Sequence, residues 1–233
     1  IIFMKQYDIK KINKTLGKYN LNQVKVDVHP GMVLSLAMVK DPYVHLDKMA
    51  EQEAQNKRAE RFPYWAELWP TSLALARWIS RADLPHPTGW VCELGCGLGV
   101  VGIALAKLGW LVEATDFVED ALVFACHNAL LNKLGSNHRV GYLDWRNPVG
   151  EKRSCIVASD VVYQKKNHPY LDRILRKLLM PGGRFYLGDP QRKAAGEFVK
   201  MLEGQGYGHQ VETERQLWEA KELRVDIHIF TKP

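Results

Sequence analysis

The sequence predicts an α/β protein. Its expected core is a doubly wound sheet of seven strands, five parallel and the last two an antiparallel pair, behind an N-terminal extension. Three observations carry this. Trp90 to Leu94 is a short apolar run that breaks into Gly95, Gly97 and Gly99 and continues as a helical stretch, Val100 to Leu108. Further apolar runs of strand length then alternate with helix-patterned segments, as strands and crossover helices do in a parallel sheet. Glu93, Asp116, Asp144, Asp160 and Asp189 each fall at or just beyond the C-terminal end of such a run, the edge where open α/β sheets hold ligands.

Taken in order, residues 1–61 read as an extension. Val24 to Val28 alternates, His29-Pro-Gly31 turns and Met32 to Val39 is apolar, which predicts a hairpin. From His45 to Arg61 the chain is charged and helix-prone, a segment suited to a cap or to simple packing. Residues 62–233 hold the sheet. Pro70 suits the first turn of a helix running to Ile79, and Trp65 and Trp69 precede it where a loop could fold over the glycine turn. The first strand and its helix follow, then a second strand ending at Asp116. A helix runs from Glu119 to Leu134 with Gly135 as its stop. Arg139 to Trp145 and Ser154 to Tyr163 are the third and fourth strands. A helix from His168 to Met180, stopped by Pro181-Gly-Gly, leads to the fifth, Arg184 to Asp189. A last helix, Ala194 to Leu202, precedes two alternating runs, Gln210 to Trp218 and Leu223 to Phe230, which pair.

Composition narrows the classes. At 233 residues with a net charge of +6, the chain is one domain with an appendage. Lys10, Lys11, Lys14 and Lys18 cluster near the start, but no basic stripe is interleaved with aromatics, so a solvated basic face is favoured over a nucleic-acid surface. No apolar run is long enough to span a bilayer, and no membrane partner is expected. Cys92, Cys96, Cys126 and Cys155 form no CxxC pair, and the eight histidines have no metal spacing. The cysteines read as reduced core residues of a cytoplasmic protein, and no metal is expected.

Two readings of the glycine turn compete. Gly97-Leu-Gly99-Val-Val-Gly102 matches the dinucleotide fingerprint, in which a helix N-terminus holds a pyrophosphate. Read instead from Glu93-Leu-Gly95-Cys-Gly97-Leu-Gly99, it is a loop for S-adenosylmethionine. Glu93 separates the two, because a carboxylate there repels a pyrophosphate and suits a ligand carrying an ammonium and a sulfonium. Asp116 can accept hydrogen bonds from ribose hydroxyls in either case. Asp144-Trp145 could meet an adenine, the acid at its amino group and the indole at its face.

These residues resemble a class I S-adenosylmethionine-dependent methyltransferase, with its Rossmann-like seven-stranded sheet. More narrowly, Pro63-Tyr-Trp-Ala-Glu-Leu-Trp69-Pro, Asp160-Val-Val-Tyr163 and Gly188-Asp-Pro-Gln-Arg192 resemble methyltransferase family 16. That group includes protein-lysine methyltransferases acting on the electron-transfer flavoprotein β subunit and on chaperones. The resemblance covers about Phe62 to Pro233. It implies that Glu93, Gly95, Gly97 and Gly99 line the methionine part of the cofactor and Asp116 its ribose, with Cys96 and Phe117 also among the cofactor-binding residues. Asp144 and Trp145 would flank the adenine, Trp69 would pack over the cofactor and Ser159 would touch it through its backbone. Asp160 and Tyr163 would face the acceptor nitrogen. Amide and base N-methyltransferases carry prolines where this chain has Val161-Val162, which favours an amine, most of all a protein lysine. A small-molecule or RNA acceptor, or cofactor binding without turnover, would use the same cofactor half.

Overall fold

The computed structural model describes residues 2–3, 8–42 and 64–233. The charged segment expected to be helical from His45 to Arg61 lies outside them.

The sheet is built as the apolar runs require. Strands β4 (Trp90–Leu94), β5 (Leu111–Asp116), β6 (His138–Tyr142), β7 (Arg153–Ser159) and β8 (Leu179–Asp189) are parallel, in the order β6-β5-β4-β7-β8. The terminal pair, β9 (Gly208–Trp218) and β10 (Lys221–Thr231), adds on antiparallel, with β10 against β8 and β9 at the edge. These are the seven expected strands. A two-residue β1 (Ile2–Phe3) pairs antiparallel with β6 and makes the sheet eight-stranded. The hairpin is present as β2 (Leu21–His29) and β3 (Met32–Val39) and forms its own two-stranded sheet.

Helices cover both faces. They are α1 (Ile9–Leu16), α2 (Pro70–Arg81), α3 (Val100–Lys107), α4 (Glu119–Leu131), α5 (His168–Leu178) and α6 (Lys193–Gly204). Pro70 stands at the first turn of α2, where its missing amide costs nothing. Helix α1 did not stand out in the sequence; Asp8 starts it by accepting from the amides of Lys10 and Lys11. Three of its neighbouring side chains dock on α4: Lys11 on Glu119, and Lys18 and Tyr19 on Asp120.

The hairpin is stitched into the core. Asn128 of α4, fully buried, receives the Ala37 amide at 2.7 Å and donates to the carbonyls of Ala37 at 3.2 Å and Leu98 at 3.0 Å. One side chain thereby joins the hairpin to the glycine loop. Asn132, one turn on, does the same for Ser35. Leu34, Leu36 and Val39 of β3 share a cluster with Leu98, Ile103, Leu122 and Phe124. At roughly 25 cal/mol per Å² of apolar surface, such burial dominates what holds the hairpin down.

Several boundaries differ from the sequence reading: the helix read to Leu134 ends at Leu131, and the fourth strand, read to Tyr163, ends at Ser159. The third strand stops at Tyr142, because Asp144 turns back to accept the amide of Arg146 at 2.9 Å. Helix α5 stops at Leu178, ahead of Pro181-Gly-Gly, and β8 begins at Leu179 with a register shift opposite Arg153/Cys155. Gly183 is needed there: a Cβ would meet the Met180 carbonyl at 2.8 Å.

Candidate active site

The glycine turn is shaped by what crowds it. Gly95, Gly97 and Gly99 have φ of +65°, +50° and +81°, a region that side chains disfavour. A Cβ on Gly95 would lie 3.2 Å from Val161 and 3.3 Å from the Trp145 ring. One on Gly97 would lie 3.3 Å from the Trp65 carbonyl, so the Tyr64–Ala66 turn does fold over the loop. The Trp65 ring packs edge-on against Tyr19 and tilted against Phe124, which anchors this cover to the N-terminal segment and α4.

Asp116 ends β5 and staples the loop in place. Its Oδ2 accepts the Gly97 amide at 3.1 Å and its Oδ1 the Val118 amide at 2.9 Å. Burial pushes its carboxyl above the ordinary range, and these amides oppose the shift. A carboxylate has about four acceptor sites, so hydroxyls can still be received. Phe117 beside it is 41% exposed. Cys96 is buried; its amide goes to the Thr115 carbonyl, and burial raises its thiol well above the usual value.

Glu93 points under the loop. Its Oε2 accepts the Gly102 amide at 3.0 Å, and burial, reinforced by nearby Asp116, pushes it up to about 8. Asp144 is held by Arg146 through Nε at 2.8 and 3.0 Å and Nη2 at 2.6 Å. An exposed pair of this kind is worth little. The Trp145 indole N–H is buried with no partner among the described residues, a donor awaiting an acceptor.

The residues expected to face an acceptor lie where β7 and β8 end. Ser159 closes β7 opposite Gly188, and the Asp160 amide donates to the Gly188 carbonyl at 2.9 Å. Asp160 takes φ of +54°, an uncommon conformation that aspartate tolerates better than most residues. Its carboxylate meets Arg192 at two points, 2.8 and 2.9 Å. Tyr163 faces Tyr64 at 5.3 Å between ring centres, and Tyr64 faces Trp69 at 6.1 Å. Trp69 donates its indole N–H to the Tyr64 carbonyl at 2.7 Å. Burial, Tyr64 and then Asp160 raise the Tyr163 phenol to about 12, with Asp116 adding to the push. His168 at the start of α5 reaches the Val162 carbonyl at 3.2 Å and fixes the segment between Asp160 and Tyr163.

The sequence reading thus named residues that the fold gathers on one sheet edge. It gave no role to Tyr64 or Arg192, and placed Gly102 only in the dinucleotide fingerprint. Arg192 lies inside a quoted motif, but no local pattern ties it to Asp160.

The family model described as lysine methyltransferase matches residues 52–205. The chain belongs to methyltransferase family 16. Among its relatives, ribosomal protein L11 methyltransferase of Vibrio cholerae is 30% identical over 135 residues, 56% of this chain and 44% of that protein. EEF1A lysine methyltransferase 3 of Mus musculus is 30% identical over 135 residues, 56% of this chain and 58% of that protein. The chain spans about half the length of these curated relatives. N-methyltransferase NodS of Bradyrhizobium japonicum, solved with S-adenosyl-L-homocysteine, superposes with a TM-score of 0.54 at 16% identity, over 78% of this chain and 97% of that one. That likeness is one of fold.

The cofactor of this methyltransferase family is S-adenosylmethionine, and the residues present fit it. Three left-handed glycines bring backbone close, a buried acid ends the second parallel strand of the chain, and the Trp145 indole N–H, its ring beside Gly95, has no partner among the described residues. Among the described residues no group of three or more His, Cys, Asp or Glu could hold a metal, and no helix is long and apolar enough to cross a membrane.

Proposed function

We propose that this chain transfers a methyl group from S-adenosyl-L-methionine to the side-chain nitrogen of a lysine in a protein acceptor, releasing S-adenosyl-L-homocysteine. Residues 62–233 form the unit that carries the reaction. The observation that carries the reading is Asp160. Its side chain is only 8% exposed and it faces a cation at the ends of β7 and β8, beside the Tyr163–Tyr64–Trp69 aromatic wall. An acid with an aromatic wall suits an ammonium. The distinction from an amide or base acceptor rests on Val161-Val162, which stand where those enzymes carry prolines.

In this reading Glu93, Gly95, Cys96, Gly97 and Gly99 shape the methionine end, Asp116 and Phe117 the ribose end, and Trp145 the adenine. Asp144 serves the adenine only by sharing its carboxylate with Arg146. Trp69 and Ser159 complete the walls. The cofactor, when bound, supplies an electrophilic methyl on sulfur. The chain's own residues then have two tasks. A lysine ammonium, with an ordinary pKa near ~10.4, must release a proton to solvent before its neutral nitrogen attacks the methyl carbon and the sulfur leaves as the thioether. Asp160 receives and orients the ammonium, and Tyr163 keeps its proton at neutral pH and acts as a hydrogen-bonding wall. Alignment to about 3 Å supplies most of the acceleration.

The test is transfer of labelled methyl from S-adenosylmethionine by the full chain into a lysate, followed by hydrolysis and amino-acid analysis of the labelled band. Methyl-lysine in protein is expected. Label in RNA, in small molecules or on another amino acid would overturn the lysine assignment.

A further inference from the structure

The acceptor edge already holds a cation of its own. The Arg192 guanidinium forks onto both oxygens of Asp160, at 2.8 and 2.9 Å. The two partners differ in freedom: Asp160 is 8% exposed at its side chain, Arg192 39%. Asp160 is fixed by its strand-end backbone and its bond to Gly188. Apart from that fork, Arg192 is held through its main chain. Its amide is capped by Asp189 Oδ1 at 2.7 Å, and it is the residue before the first turn of α6. The guanidinium can therefore leave while the loop stays.

A second carboxylate makes that exchange selective. Asp189 is fully buried, and its Oδ2 has no hydrogen-bond partner among the described residues. Asp160 and Asp189 repel each other, and Arg192 attracts both. If the guanidinium departs and nothing charged replaces it, two acids are left in one partly desolvated corner, a costly arrangement. An incoming ammonium restores the charge and brings three donors. A neutral planar nitrogen restores nothing.

We propose that Arg192 is an internal occupant of the ammonium seat on Asp160, displaced only by an acceptor nitrogen that brings its own positive charge. It is a specificity-determining residue, selecting cationic amines over amide, base or hydroxyl acceptors. This rests on the reading above that Asp160 faces the acceptor.

The test is binding of n-butylammonium chloride to the full chain saturated with S-adenosylhomocysteine, followed by tryptophan fluorescence, with n-butanol as the neutral probe. Arg192→Gln should bind n-butylammonium about tenfold more tightly than wild type, the size of one well-formed ion-pair competitor. The double variant Arg192→Gln with Asp160→Asn should lose that gain, and n-butanol should gain nothing. Should Arg192→Gln not fold, Arg192→Lys, which keeps the charge and loses the fork, should bind about threefold more tightly. Unchanged or weaker binding in a folded Arg192 variant, or an equal gain for n-butanol, overturns the proposal. The two readings fail separately. Tighter n-butylammonium binding without any methyl-lysine product sinks the function and leaves the seat. Methyl-lysine production with unchanged probe binding does the reverse.

Discussion

Glu93 and Gly102 are in contact through a gap that only a glycine leaves. The Glu93 carboxylate accepts the Gly102 amide at 3.0 Å, and a Cβ on Gly102 would stand 2.3 Å from the same oxygen. Gly102 was the third glycine of the apparent dinucleotide fingerprint. Its role here is to admit an acid beneath the loop, not to bring backbone to a pyrophosphate.

Gly102→Ala tests this contact. Inside a helix, alanine is ordinarily better than glycine by ~0.5–1 kcal/mol. Here overpacking against Glu93 should reverse the sign and cost ~1–3 kcal/mol, read as a Tm lower by several degrees. In a Glu93→Ala background the penalty should vanish. A Gly102→Ala protein as stable as wild type would show that the carboxylate is not held there.

The same acid gives a pH signature. Glu93 is raised from 4.5 to about 8 in the folded chain, so the folded state binds its proton more tightly than the unfolded one. That contribution to stability is full below the unfolded value and is lost as pH rises toward 8. Buried His138 and His228, lowered from 6.5 to about 4, change stability in the opposite sense, but only below about 6.5. Thermal melts of the ligand-free protein should therefore show Tm falling between pH 6.5 and 8. Glu93→Gln should lose most of that slope, and a variant that kept it would point to another group.

Asp116→Ala should weaken S-adenosylhomocysteine in calorimetric titration by ~10–100-fold, since hydrogen bonds to a charged group are worth ~1.5–3 kcal/mol. Part of the loss would come from the loop itself, because the Gly97 amide loses its acceptor as well. Wild-type affinity in this variant would remove Asp116 from the cofactor site.

Asp160→Asn separates the acceptor side from the cofactor side. Asparagine tolerates the left-handed backbone at this position, so the strand end should survive. Turnover on the labelled protein acceptor should fall at least ~10-fold, with S-adenosylhomocysteine affinity within about threefold of wild type. Loss of cofactor binding would contradict the acceptor role.

Much of this architecture was legible because its signals are local. The run Trp90 to Leu94 is apolar but for Glu93 and ends at a glycine turn, and the alternation of Val24 to Val28 against Met32 to Val39 marks a hairpin without reference to anything distant. Helix α1 was hidden because its lysines mask its short buried stripe of Ile12, Thr15 and Leu16. The third strand was read too long because only the fold shows Asp144 turning onto the Arg146 amide.

The sequence by itself determined the order of strands and helices, the glycine turn and the row of acids at the strand ends, since hydrophobic period and turn chemistry act between near neighbours. The tertiary structure alone decided which partner each acid keeps: Gly102 for Glu93, Gly97 for Asp116, Arg146 for Asp144 and Arg192 for Asp160. It also decided that Trp65 covers Gly97 and that Asn128 binds the hairpin to the loop. Apart from Arg146 two residues on, these pairings are made by packing between segments far apart or merely adjacent in the chain, and a carboxylate's position in a sequence does not say which donor the folded chain will bring to it.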